Sequence, residues 1–455
     1  MKKIVLATIS VVLPLVCGAQ ALTGSYFLDN SLNRHELNPA FAPRADYVQF
    51  LGVGNTGFRW NSNIGLSSLC YPVDGKLATF LHPGVSISDI EKALPTDPAT
   101  SMEYSSTILG FGFYTANKSF WTFDLDVCST GEVLLPRDLF MFFKKGTGVS
   151  KQSFNIGKHG LDVYAGFEAS VGYSRNIFNG LRVGAKARLI APLAYASLNV
   201  EKVTLETAPD KWALTTDGYL HTALNGVNFS RPADEIDWSQ LLKGNGFSGF
   251  GYSFDFGAEY VLELGTLVDG LSVSAAVTDL GLIHYKSDAI STYRSKGYVE
   301  WTGTQDIENV KNDLMSFSLT ENEGAFTRST LPSVHVGVEM PFLKRLMSVG
   351  LLYSARIGRS YTSNELMVSY NLNPCDWFAL GVNYSFMSGA NALGFLMEFT
   401  PRVGPAFYVG CDYFPTEFAP VSYMSVIKTL PMSMNLSLNF GLAVHIGGKT
   451  TKEEK

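Results

Sequence analysis

One run of residues constrains this chain more than any other. From position 434 to 446, apolar residues alternate with small or polar ones without a break in phase. Met434, Leu436, Leu438, Phe440, Leu442, Val444 and Ile446 fall on one side, and Asn435, Ser437, Asn439, Gly441, Ala443 and His445 on the other. A period of two belongs to a strand whose faces meet different surroundings. The run exceeds the roughly 9–11 residues a tilted strand needs to cross a bilayer. A transmembrane barrel demands this pattern, with lipid on the outer face and lumen on the inner.

The pattern recurs along the chain. Phe378, Leu380, Val382, Tyr384 and Phe386 form one apolar face; Val349, Leu351, Tyr353, Ala355 and Ile357 form another. Phe254, Phe256, Ala258, Tyr260 and Leu262 repeat it, as do Leu181, Val183, Ala185, Ala187 and Leu189. Asn179-Gly180 between two such runs is a tight hairpin signal. Strands are predicted at 47–60, 104–115, 119–130, 161–175, 180–204, 211–225, 250–264, 270–286, 331–341, 346–359, 364–373, 376–387, 391–400, 405–415 and 434–447. Single-chain bacterial barrels have even strand counts. About 14 strands, with 16 as the alternative, are therefore expected in an all-β, antiparallel transmembrane barrel over 46–448, the first candidate being assigned to a plug or the rim. Aromatics near strand ends, Tyr173, Tyr384, Phe386, Tyr408 and Tyr413, are read as interfacial girdles.

The N-terminus explains how such a chain reaches a membrane without a transmembrane helix. Lys2 and Lys3, the apolar run Ile4–Val16 and Ala19-Gln20-Ala21 have the form of a cleavable signal peptide over 1–21. Val16 before Cys17 argues against a lipoprotein signal. Removing Lys2 and Lys3 leaves 33 Lys and Arg against 41 Asp and Glu, an acidic excess that argues against nucleic acid as a partner. Charged residues make up 17% of the chain and aromatics 13%, below and above the habit of soluble domains, as a lipid-facing wall requires. Cys70, Cys128, Cys375 and Cys411 are too few for a disulfide scaffold and match no metal spacing, so no cofactor or metal is expected.

Three stretches do not alternate. Residues 22–45 hold Asn38-Pro39-Ala40, where Pro39 fixes its own backbone angle and restricts Asn38. A rigid kink of this kind suits a plug or hatch turning inside a barrel, or a plain turn before the first strand. Residues 64–103 and 287–330 are read as long polar loops, the former with a short helix at Ile87–Ala93; a second short helix is predicted from Leu134 to Phe143. Residues 449–455 form a charged, disordered tail.

The phase of alternation turns Glu168, Lys186, Arg188, Asp255, Glu259, Arg356, Glu398 and Asp412 inward. Mixed signs favour structural ion pairing over a single-sign filter. His335 and His445 also face the lumen, and no Gly-x-Ser-x-Gly, His-Glu-x-x-His or P-loop accompanies them, so no enzyme is expected.

The segment from Tyr26 to Phe41, with its Asn-Pro-Ala, resembles FadL-like outer-membrane barrels, nearest their uncharacterised members. So do Val171–Arg175, Asp279–Ile283, Gly404–Val409 and Asn435–Gly441. The resemblance implies a fourteen-stranded barrel with its N-terminal segment in the lumen, which in transporter members is a hatch for hydrophobic substrates. Two departures stand against inheriting fatty-acid transport: no fatty-acid pocket is identifiable, and the chain ends in a charged tail rather than an aromatic. Two functions follow as expectations. One is passage of hydrophobic small molecules past a plug carrying Asn38, Pro39 and Ala40. The other is a closed barrel, embedded in outer-membrane lipid, that anchors protein partners of an envelope or secretion assembly.

Overall fold

In the computed structural model, the described residues run from 22 to 447, apart from 51–53, 75, 146–150, 158, 225–245, 265–268, 288, 303–317, 320–325, 360–361, 388–389, 417, 421–428 and 432–433. The expected signal peptide and disordered tail lie outside them.

The alternating segments form β1 (Tyr47–Phe50, resuming as Thr56–Ser62), β2 (Ala99–Tyr114), β3 (Phe120–Leu134), β4 (His159–Phe178), β5 (Leu181–Thr207), β6 (Gly249–Leu262) and β7 (Leu271–Tyr285). They continue with β8 (Phe326–Ser329, resuming as Ser333–Phe342), β9 (Met347–Ile357), β10 (Thr362–Cys375), β11 (Phe378–Met387), β12 (Ala390–Phe399), β13 (Gly404–Pro415) and β14 (Leu436–His445). Each pairs antiparallel with its neighbours, and β14 pairs with β1 through Tyr47↔His445 and Thr56↔Phe440, which closes a fourteen-stranded ring. Closure leaves no strand edge facing lipid, the condition for crossing a bilayer with strands.

The outer face is apolar. On β14, Leu438, Phe440, Leu442 and Val444 point outward, while Ser437, Asn439, Ala443 and His445 are buried within the barrel. β2 changes phase midway. Ala99, Ser101 and Glu103 point inward at one end and Gly110 and Gly112 at the other, with a bulge between Thr107 and Leu109. A bulge adds one residue and so swaps the faces of the strand beyond it.

The two rims differ. One carries short connections, such as 115–119, 179–180 and 376–377, and both ends of the barrel chain; Gly180 takes φ +84° in the tightest of them. The other carries the long ones, together with the short 358–361 and 388–389. There the helices Ile87–Ala93 and Arg137–Lys145 pack with Phe154, Leu205 and Trp212 into a separate apolar cluster.

Three expectations are corrected. The first candidate strand belongs to the ring, not to a plug or rim. The one outside it is 211–225: Lys211–Leu224 pairs with the upper part of β5, beyond the point where β5 parts from β6. Residues 290–302, read as loop, form a strand against Lys211–Leu224. Its charges obscure a buried side, where Ile290 and Thr292 lie. Tyr408 and Tyr413 are not girdle residues; both are buried inside, because β13 turns them toward the lumen beside a register shift opposite Leu393/Phe395.

Candidate passage site in the barrel interior

Residues 22–45 lie within the ring, and their side chains are almost all buried. The segment begins with a 3-10 turn, Thr23–Phe27. The first amides of such a turn have no partner of their own. Asp412 on β13 supplies one, accepting from Thr23 N at 2.7 Å and Gly24 N at 2.8 Å. Arg59 on β1 lies 3.5 Å from the same carboxylate and donates to Thr23 Oγ1 at 2.7 Å. Tyr26 and Phe27 join Leu37, Phe41, Leu352 and Met367 in an apolar cluster, and the Tyr26 hydroxyl is 3.0 Å from Ser274 Oγ.

Asn38, Pro39 and Ala40 form a closed turn. Asn38 Oδ1 accepts from Ala40 N at 2.9 Å, and Phe41 N donates to Asn38 O at 2.9 Å. Asn38 Nδ2 donates to Ala258 O on β6 at 3.3 Å, which ties the turn to the wall. The wall is thinned to receive it. Gly184 and Gly257 stand opposite each other in the β5–β6 ladder. A methyl at Gly184 would strike the Pro39 carbonyl, and one at Gly257 would strike Asn38 Oδ1. Gly337 and Gly350 leave similar room for Tyr26 and Phe27.

Asp29, on this segment, is held at about 2. Burial alone would raise it, but Arg34, Arg345 and Arg44 draw it down, Arg34 at 2.8 Å. Arg34 also lies 3.9 Å from Glu259 on β6 and sits over the Phe41 ring.

The inward charges form pairs. Lys186 is 3.0 Å from Asp124 and Arg188 is 2.8 Å from Asp255; Arg188 also contacts Asp279 and lies 3.9 Å from Glu168. Arg356 reaches across the lumen to Glu103 at 2.8 Å. Lys186, Arg188, Asp255 and Glu259 sit together near the Asn38 turn, on β5 and β6. Glu398 stands apart, fully buried on β12 opposite Ala379. Between the N-terminal segment and the long-loop rim lies a cavity of about 140 Å³, with Glu36 and Leu37 among its lining residues.

Asp412, Gly184 and Gly257 were not singled out for their roles here, although each stands at an inward position of an alternating run. The signal was present for the glycines, as gaps on the inner face, but nothing in their own strands names the segment that fills them.

No curated protein sequence matches the chain. Among solved structures it is similar to a Pseudomonas aeruginosa FadL homologue, at 12% identity and TM-score 0.43, covering 95% of this chain and 98% of that one. It is also similar to the P. putida toluene transporter TodX, at 10% identity and TM-score 0.40, covering 90% and 93%. A third is the Ralstonia pickettii toluene transporter TbuX, at 8% identity and TM-score 0.39, covering 90% and 92%. Residues 39–412 match a family described as a family of unknown function, DUF5723, and the chain belongs to that family.

Proposed function

We propose that this protein is exported to the outer membrane, where its barrel passes small hydrophobic molecules and residues 22–45 act as the movable hatch. The observation that carries the reading is the seating of residues 22–45 inside the closed ring. The segment occupies the lumen and is held by non-covalent contacts, among them the Asp412 cap at its start, the apolar cluster of Tyr26 and Phe27, and the Asn38 turn against Gly184 and Gly257. A segment held this way leaves as a unit when those contacts are broken.

The test is flux of a small hydrophobic solute into liposomes carrying the full barrel or the barrel without residues 22–45. The reading expects deletion to raise flux severalfold. Equal flux from both proteins would overturn it.

A further inference from the structure

The cavity beneath the long-loop rim is unlike a simple apolar tunnel. Four cations line it, Lys186, Arg188, Arg328 and Arg356. Each has a carboxylate already: Asp124 for Lys186, Asp255 for Arg188, Asp162 for Arg328 and Glu103 for Arg356. Asp162 also has Arg359 at 3.5 Å. Three of these carboxylates, Asp124, Asp255 and Asp162, stand behind the lining.

The cavity wall carries four more carboxylates: Glu36, Asp126, Glu168 and Asp279. Glu36 accepts from Asn55 Nδ2 at 2.9 Å and Asp126 from Thr107 Oγ1 at 2.7 Å, both neutral donors. Glu168 accepts from the Cys128 thiol at 3.1 Å, and among the described residues the one cation paired with Glu168 and Asp279 is Arg188, whose single charge is shared with Asp255. Carboxylates therefore outnumber cations around this space. A second observation points the same way. Ser253 lines the cavity and is buried, and its Oγ has no hydrogen-bonding partner among the described residues. Buried polar atoms are ordinarily hydrogen-bonded, so an ordered water or the polar head of a ligand is the natural partner here. Leu37, Ile190, Ile283 and Leu331 supply an apolar flank.

We infer that this cavity binds the protonated amine of a small amphiphilic cation, with Glu36, Asp126, Glu168 and Ser253 as acceptors and the apolar flank against its carbon chain. An ammonium brings three donors and no acceptor, the complement of an acceptor-rich wall. An excess of carboxylates in a partly closed space raises the local concentration of cations and repels anions. A bare metal ion fits less well: among the described residues no three His, Cys, Asp or Glu side chains converge closely enough to hold one. The inference deepens the passage reading by naming the substrate's charge, and it rests on the interior being the route.

The experiment is equilibrium binding by titration calorimetry on the full chain in detergent at pH 7, with n-hexylamine, n-hexanoate and n-hexanol as probes of one chain length. Hexylamine is expected to bind saturably and at least tenfold tighter than the other two. Asp126→Asn combined with Glu168→Gln is expected to remove that tenfold margin. Ser253→Ala is expected to weaken hexylamine severalfold while keeping the ranking. Hexanoate or hexanol binding as tightly as hexylamine overturns the proposal, as does a preference that survives the double variant. Calcium chloride displacing hexylamine with higher affinity also overturns it, in favour of a metal site. Should the double variant not fold, the ranking of the three probes on the natural chain and on Ser253→Ala decides. Failure of the flux test leaves these binding curves untouched, so the two readings fail separately.

Discussion

Gly184 and Gly257 face each other across the β5–β6 ladder, and the Asn38–Pro39 peptide fills the space that their absent side chains leave. Gly184→Ala or Gly257→Ala therefore puts a methyl where the segment's backbone or amide lies. Overpacking costs about 1–3 kcal/mol. We expect the displaced fraction of residues 22–45 to rise roughly tenfold, read as faster protease cleavage in that segment. Gly131→Ala is the control, since a methyl there meets nothing within 4 Å. Equal cleavage rates in all three variants would show that the segment does not depend on this fit.

Arg188 serves Asp255, Asp279 and Glu168 at once. Removing one member of a buried pair leaves an uncompensated charge and costs about 3–5 kcal/mol. Arg188→Met should lower the unfolding temperature in detergent markedly, and adding Asp255→Leu should recover part of the loss. A double variant no more stable than the single one would refute the pairing.

Asp412 carries two amides of the 3-10 turn and neighbours Arg59. Hydrogen bonds to a charged acceptor contribute about 1.5–3 kcal/mol each. Asp412→Ala should speed amide exchange at Thr23 and Gly24 by at least tenfold while exchange in β9 and β10 stays slow. Unchanged exchange at those two amides would mean that the cap does not hold the turn.

Asp29 provides a pH handle. Its carboxyl is held at about 2, below its ordinary value of 3.8, by three arginines that more than offset burial. A carboxyl depressed by folding stabilises the seated state above its ordinary value, and that contribution is lost as pH falls through the depressed one. Seating of residues 22–45 should weaken between pH 4 and pH 2, and Asp29→Asn should flatten the response. Proteolysis with an acid-active protease across that range measures it; identical profiles for both proteins would remove Asp29 from the account.

Period-two alternation carried most of the fold, because lipid and lumen impose opposite demands on neighbouring residues. It placed Ser437 and Asn439 inside and Leu438 and Phe440 outside. It could not say which alternating runs join the ring. Lys211–Leu224 serves another purpose: it pairs with the end of β5 beyond the ring, where Ala223 packs with Tyr195 and Tyr285. The inward charges were legible for the same reason as the strands. Their partners were not, since Arg356 and Glu103 come from β9 and β2, far apart in the chain and joined only by the curve of the wall. The seat of residues 22–45 was legible only in fragments, as Asn38-Pro39-Ala40 and as inward glycines, because complementarity between distant segments leaves no local period.

The seam between β1 and β14 has a consequence for how this molecule comes into being. Tyr47 finds His445 only after nearly the whole chain has emerged, so the ring cannot shut early. Contacts so distant in sequence form slowly. Residues 22–45 precede the first wall strand, so they are made before any of the wall that encloses them. The segment is thus available from the start as a surface on which wall strands can settle. A chain lacking it would face the final closure with an empty, polar interior.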